Sequence, residues 1–345
     1  MANVLDIRRR IRSVRNTRQI TKALKMISAA RLRKAQERAL SARPYGQMLT
    51  NVLKSLVSRA EVLETEHGRA RHRLLAQRPE KNILLMVVTG DRGLAGAFNA
   101  NIIKAAQRFL ESKAGKNVDI EAVGRKGRDF LRRRYPIAKP DQAQRAGEVQ
   151  IVGEHVGMMT RLEFAEAREL AEQVIERYEH SEIDSVYVVY NEFKSVISQR
   201  LVVDRVLPVE EIGERTIAQA EEMKDEDRKR HLDAAVAAGV SVRHPDTSEM
   251  DRAAGAFGTK LVDYIYEQPA NELFRDLLPK YVVNQIFRAL LESIAAEHAA
   301  RMTAMDSATS NADEMIDKLT LAMNRARQAK ITKEIIEIVS GAAAQ

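Results

Sequence analysis

The chain contains no cysteine and no tryptophan, and only 5% of its 345 residues are aromatic. The lack of cysteine excludes a disulfide framework, a thiol switch and a thiolate metal site. Few aromatics beside 30% charged residues suit long helices with exposed faces better than one large core. No apolar run approaches the ~20 residues that a membrane span needs. The N-terminus also lacks the apolar stretch of a secretory signal. Its amphipathic, Arg-rich opening runs into the next residues without the change of pattern that follows a mitochondrial leader, so a soluble, intracellular chain is expected. The seven histidines are scattered, with no H-E-x-x-H or Ser/His/Asp pattern, and no catalytic, cofactor or metal residue is nominated.

Proline and glycine are also missing from most of the last stretch, Asn271 to Val339, where none follows Pro279. Steps of three and four place Leu291, Ile294, His298, Arg301, Met305, Ala308, Ala312, Met315, Leu319, Ala322, Ala326 and Ala329 on one stripe. A 3.5-residue repeat sustained this long predicts a supercoiled helix whose seam faces a second helix. The seam is rich in alanine, so the pair is slender.

The partner is predicted at the other end. Asn3 to about Val57 has helical periodicity, with Ile7, Ile11 and Val14, then Ile20, Leu24 and Ile27, on nearby faces, and Pro44 marks a kink or a joint. Charge is concentrated here. The first 43 residues carry net +11 of a total of +8, leaving the remainder at −3. A basic helix of this kind fits nucleic acid, a membrane surface or an acidic protein collar. No aromatic precedes Tyr45, which argues against stacking on single strands.

Between the two arms, strands alternate with helices: Asn82–Thr89, Asn117–Val123, Val149–Val152, Ser185–Asn191, Leu201–Val209 and a closing strand Leu261–Tyr266. This pattern predicts a Rossmann-like α/β head. The expected division is 1–60 for the first coiled-coil helix, 61–268 for the head, and 269–345 for the last helix. Glu210 to Gly258, dense in charge and then in alanine, reads as a solvated helix and loop inserted between two strands. The turn GDRGLAG from Gly90 to Gly96 sits where a phosphate loop would sit. It matches neither G-x-G-x-x-G nor a loop ending in Gly-Lys-Ser/Thr, so a tight structural turn is favoured over nucleotide binding. Because one arm enters the head and the other leaves it, the arms must run antiparallel. The last helix should then extend alone for on the order of 20 Å.

The strings IRRRIRSVRNTRQITKALKMISAARLRKAQ, ARMTAMDSATSNA and ARQAKITKEIIEIVSGAAA, with GDRGLAG in the head, are similar to the γ-subunit family of F-type ATP synthases. This resemblance implies a rotor shaft that couples proton-driven turning of a c ring to sequential conformational change in catalytic β subunits, without bond chemistry of its own. It implies α and β subunits in an α3β3 hexamer, an ε subunit and the c ring as partners. It also implies a peripheral place on the cytoplasmic face of a bacterial inner membrane, the opening Met1 and lack of a leader favouring a bacterium. By the same resemblance Leu24, Lys25, Arg301, Gln328 and Thr332 are coupling contacts with the stator, Arg31, Arg33 and Lys34 are bearing charges, and Tyr264 and Glu267 face the c ring or ε. Arg301 can equally be a seam arginine paired within the coiled coil. The Glu210–Gly258 insert is a steric brake on reverse rotation or an inert excursion. The competing class is a coiled-coil module that binds nucleic acid or protein.

Overall fold

The computed structural model describes residues 4–58, 72–138, 145–242 and 267–343. Two long helices dominate it. Helix α1 spans Val4–Ser58 and helix α6 spans Ala270–Ala343, on the order of 80 and 110 Å at 1.5 Å per residue. Pro44 is not a joint, since α1 is continuous through it, as α6 is through Pro279. Packing offsets the hydrogen bond that each proline removes: Leu49, Leu53 and Leu56 of α1 and Phe274, Leu278 and Val282 of α6 are buried around these positions.

The head is a six-stranded sheet in the order β3-β2-β1-β4-β5-β6. Strands β1 (Asn82–Val88), β2 (Asn117–Val123), β3 (Val149–His155) and β4 (Ser185–Ser195) are parallel. Strands β5 (Ser198–Leu207) and β6 (Thr216–Glu222) continue the sheet antiparallel. Every residue of β1 from Ile83 to Val88 is fully buried, which is why that strand reads as an unbroken apolar run. Helices α2 (Phe98–Ser112), α3 (Arg125–Leu131) and α4 (Phe164–Glu179) complete the α/β alternation. Phe109 of α2 packs on Tyr187 of β4, ring centroids 4.7 Å apart, covering one face of the sheet. The segment of α6 from Phe274 to Met302 packs along β4, with α1 against its other side.

One feature of the insert differs from expectation: Thr216–Glu222 is the edge strand β6. Helix α5 (Asp225–Ala237) is mostly exposed, as expected of a solvated helix, and also packs one side through the buried His231, Ala234 and Ala235. The strand was hidden because TIAQAEE at a sheet edge is mostly exposed and shows no buried alternation. The predicted closing strand Leu261–Tyr266 lies outside the described residues.

The rod is antiparallel. Arg18 faces Asp313, Thr21 faces Thr309 and Lys25 faces Asp306, the numbers falling on one helix as they rise on the other. On α1 the contact path is Ile7, Ile11, Val14, Arg18, Thr21, Lys25, Ser28 and Leu32, a strict alternation of four and three. Ile20 and Ile27, grouped with the apolar stripe by sequence, are 60% and 49% exposed instead. On α6 the path is His298, Met302, Met305, Thr309, Ala312, Ile316, Leu319, Met323 and Ala326. The sequence seam is therefore correct at every seventh position (298, 305, 312, 319, 326) and one residue early between them. Met315 is 52% exposed while Ile316 is buried. Thr309, not Ala308, bonds across to Thr21, so choosing small apolar residues selected the wrong neighbour. Ile7, Ile11 and Ile316 form a separate apolar clasp near the start of α1. Beyond it, the described side chains from Arg327 to Ser340 are all exposed, leaving residues 327–343 as an unaccompanied tip of about 25 Å.

The seam phase predicts a sharp contrast. Ile316→Ala should destabilise the rod by about 2 kcal/mol, whereas Met315→Ala should stay within about 0.5 kcal/mol. Urea unfolding followed by helical circular dichroism checks both, and equal effects would contradict the seam.

Candidate interaction surface of the rod and its junction with the head

The middle of the rod is held by polar pairs. Lys25 Nζ donates to Asp306 Oδ1 at 2.5 Å, with the two side chains 11% and 25% exposed. Thr309 Oγ1 donates to Thr21 Oγ1 at 2.8 Å, and Arg18 Nη1 donates to Asp313 Oδ1 at 2.7 Å. Lys25 and Arg18 are seven residues apart, as are Asp306 and Asp313, so the complementarity was readable once the antiparallel register was known. The Lys25 and Thr21 pairs are part-buried and the Arg18 pair is exposed; polar layers of this kind fix register more than they add stability.

The sequence-nominated residues fall into three sets. Arg31, Arg33 and Lys34 are exposed on α1, and Leu24 is half-buried. Arg33 is already engaged, its Nη2 donating to the carbonyl of Gly239 at 2.5 Å just after α5. Gln328 and Thr332 lie exposed on the lone tip, where Thr332 Oγ1 donates to the Gln328 carbonyl one turn back at 3.0 Å. Glu267 is exposed just before α6. Tyr264 lies outside the described residues. Exposed aliphatics accompany the charges: Ile20, Met26 and Ile27 on α1, and Ile331, Ile335, Ile336, Ile338 and Val339 on the tip.

Arg301 is buried, and it faces the head rather than the seam. Its Nε donates to the Gly93 carbonyl at 3.2 Å, and its Nη2 pairs with Glu297 one turn earlier. Glu297 in turn lies against Gly90, where a Cβ would come within 2.7 Å of its carboxyl group and push that carboxylate aside. The sequence reading missed this latch, although the spacing of Glu297 and Arg301 by four was a usable sign. Burial raises the Glu297 pKa against the pull of Arg301. Burial, with Arg301 and Arg31 nearby, pushes His298 down to about 4.

The turn itself is a structural knot. Asp91 Oδ1 accepts from the backbone N–H groups of Arg125 (3.1 Å) and Gly157 (2.9 Å), and Oδ2 accepts from Thr160 Oγ1 (3.1 Å). One carboxylate thus joins the chain at the carboxyl ends of β1, β2 and β3. Among the described residues no group of three His, Asp or Glu side chains could hold a metal ion, and no helix is long and apolar enough to cross a membrane.

A sequence-family model described as ATP synthase matches residues 3–345. The ATP synthase gamma chain of Solibacter usitatus (strain Ellin6076) is 48% identical over 344 residues, covering 100% of this chain and 99% of its own. The chain belongs to the ATP synthase gamma chain family. Another gamma chain, from Anaeromyxobacter sp. (strain Fw109-5), is 42% identical over 346 residues, covering 100% of this chain and 99% of its own. The fold is similar to that of a chain in the Euglena gracilis mitochondrial ATP synthase structure of OSCP, F1 and c-ring, with a TM-score of 0.53 and 18% identity over 99% of this chain and 94% of that one. A chain from the central stalk and c-ring of the Tetrahymena thermophila mitochondrial enzyme gives 0.50 and 19% over 84% of this chain and 99% of that one. Full-length gamma-chain relatives lend no support to a nucleic-acid module.

In this gamma-chain sequence His298 gives the junction a pH dependence. An unfolded chain takes up a proton near pH 6.5, whereas the folded one resists until about 4. The contribution of His298 should therefore destabilise the fold progressively between these values, by up to about 3 kcal/mol. Because Glu297 acts in the opposite sense, the decisive measurement is the difference in unfolding free energy between the native protein and His298→Gln across this window. A difference that does not change with pH would refute the assignment.

Proposed function

We propose that this chain is the central rotor shaft of an F-type ATP synthase and carries no bond chemistry of its own. The observation that supports this best is mechanical. Helix α6 is at once the spine of the rod and a core element of the head, so a torque applied to the head reaches the rod without crossing a flexible linker. In this reading α1 and α6 form the shaft, and residues 61–268 form the head. The rod seats in the bore of a hexamer of α and β subunits, and the head stands on the c ring beside ε, peripheral to a bacterial inner membrane on its cytoplasmic face. Proton-driven turning of the ring carries the rod round, and its off-axis shape drives the β subunits through their conformations in sequence.

The nominated contacts divide by their geometry. Arg31, Lys34 and Leu24, with Gln328 and Thr332 on the tip, are accessible to a stator, and Arg33 shares its guanidinium with the Gly239 carbonyl. Tyr264 and Glu267 are assigned to the c-ring and ε side. Lys25 and Arg301 are engaged within the chain, so their share in coupling is to hold the rod's register and its junction with the head. The exposed aliphatics of the tip favour a sleeve around it, because an apolar helix end left in water invites aggregation.

Expressed with its α and β partners, the chain should copurify in a complex that hydrolyses ATP, and a bead fixed to the head should turn in one direction. Hydrolysis with a motionless bead would sink the proposal. Alanine at Arg31 and Lys34 together should change coupled synthesis by no more than about thirtyfold, because exposed ion pairs contribute about 0–1 kcal/mol each. Lys25→Ala, which leaves Asp306 in the seam without its cation, should cost about 1–3 kcal/mol of rod stability by urea unfolding and be partly rescued by Asp306→Ala.

A further inference from the structure

Helix α5 ends in the paired bonds of a glycine cap. Gly239, at φ +63°, donates its N–H to the Val236 carbonyl at 3.0 Å, and Val240 donates to the Ala235 carbonyl at 2.9 Å. The next carbonyl, that of Gly239 itself, accepts from Arg33 Nη2 at 2.5 Å, so a cation of α1 completes the negative end of a head helix. A second arginine of α1 makes a matching contact. Arg38 Nη2 donates at 2.8 Å to the carbonyl of Leu162, the residue before the α4 N-cap Glu163.

Arg33 and Arg38 are five residues apart, so they leave α1 about 140° from each other and fall on opposite sides of the seam marked by Ser28 and Leu32. The helices they reach are anchored elsewhere. Phe164 at the start of α4 meets Phe287 of α6 edge-on, ring centroids 5.1 Å apart. Helix α5 packs on α6, and its buried His231 brings Nδ1 to 3.5 Å from Gln199 Nε2 of β5. Each arginine thus closes a triangle of α1, α6 and a third helix. Such closure matters because the buried residues at this height are small: Ser28, Ala29 and Ala35 on α1, and Ala295, Ala296 and Ala299 on α6. Small side chains interlock little, so the seam alone holds α1 weakly against rolling around α6.

We infer that Arg33 and Arg38 are positioning residues that brace α1 from both flanks, through the carbonyls of Gly239 and Leu162, and that α5 serves the rod as a strut. The brace fixes where α1 sits around α6 relative to the head, and so which way the rod's eccentric side points. Arg33 then serves the chain itself rather than a stator. The consequence for torque rests on the rotor reading, whereas the brace is a property of the isolated chain and is tested there.

Because the chain has no cysteine, Gln19→Cys on α1 and Gln173→Cys on α4, both exposed, give two unique sites for spin labels. Double electron–electron resonance on the labelled full chain reads the distribution of distances between rod and head. With Arg33→Gln and Arg38→Gln together it should widen about twofold, as other positions of α1 become populated. Lysine at both places, which keeps a charged donor, should widen it less. Both arginines are exposed, so the glutamine variants keep the fold, which circular dichroism verifies. Amide hydrogen exchange gives a second reading on a single variant: in Arg33→Gln the amides of Gly239 and Val240 should exchange about tenfold faster. Lys34→Gln, which removes an exposed neighbouring cation, should leave both readings unchanged. An unchanged width in the double glutamine variant overturns the brace, as does unchanged exchange in Arg33→Gln or an equal effect of Lys34→Gln. Failure of the chain to assemble with α and β subunits would remove the rotor reading without altering either measurement.

Discussion

Everything in this molecule depends on one helix being buried twice. From Phe274 to Met302, α6 is enclosed by the sheet, α4 and α5 on some sides and by α1 on another, and every residue from Ala289 to Glu297 is buried. A helix buried all round belongs to a core. Yet the same helix continues unbroken for some forty residues beyond the head, paired among the described residues only with α1 and, at its tip, with none of them. The hydrophobic energy that folds the head therefore also fixes the rod's direction. Bending the rod at its base would mean uncovering side chains such as Leu290 and Ile294, each contributing about 1.5–3 kcal/mol.

Beyond the head the energetics change character. The seam passes from Met302 and Met305 into Lys25–Asp306, Thr21–Thr309 and Arg18–Asp313 before closing on the Ile7, Ile11 and Ile316 clasp. Apolar contacts tolerate a shift of one heptad, since one Leu or Ala serves much like another. A slip of one heptad keeps one cation opposite an aspartate, Lys25 with Asp313 or Arg18 with Asp306, but loses the second ion pair and sets Thr21 against Ile316 or Met302. The polar stretch thus specifies a register that the alanine-rich seam alone would leave loose. In an off-axis spindle the register decides which side chains point outward at each height.

The sequence made the architecture legible because its helical patterns are long and its central strands are continuously apolar. A sustained 3.5-residue repeat marked the last arm and helical periodicity the first, and buried parallel strands such as NILLMVV announced themselves as continuous apolar runs. The antiparallel direction followed from connectivity alone. The phase of the seam did not, because Ala308 beside Thr309 and Met315 beside Ile316 satisfy the repeat equally until the partner's residues are known. The mixed character of the insert escaped for a related reason. β6 lies at an edge where nothing forces alternation, and the buried side of α5 is mostly small alanines around His231. The contact of Arg301 with the head escaped as well, since a latch to a loop two hundred residues earlier leaves no local pattern.

That latch explains why a sheet of this topology need not hold a nucleotide. In parallel α/β sheets the crevice beyond the strands' carboxyl ends presents backbone N–H groups to a phosphate. Here the Asp91 carboxylate takes the N–H groups of Arg125 and Gly157 together with the Thr160 hydroxyl, filling the anion position with a covalently attached anion. An incoming phosphate would meet both a like charge and donors already used. The tip of the same turn then presents its carbonyls outward, where the Arg301 guanidinium accepts the role of donor to Gly93. A loop that elsewhere would close over a ligand is thereby turned into a joint. It binds the strand ends to one another through Asp91 and binds them to the shaft through Arg301, so that sheet and rod move as one body.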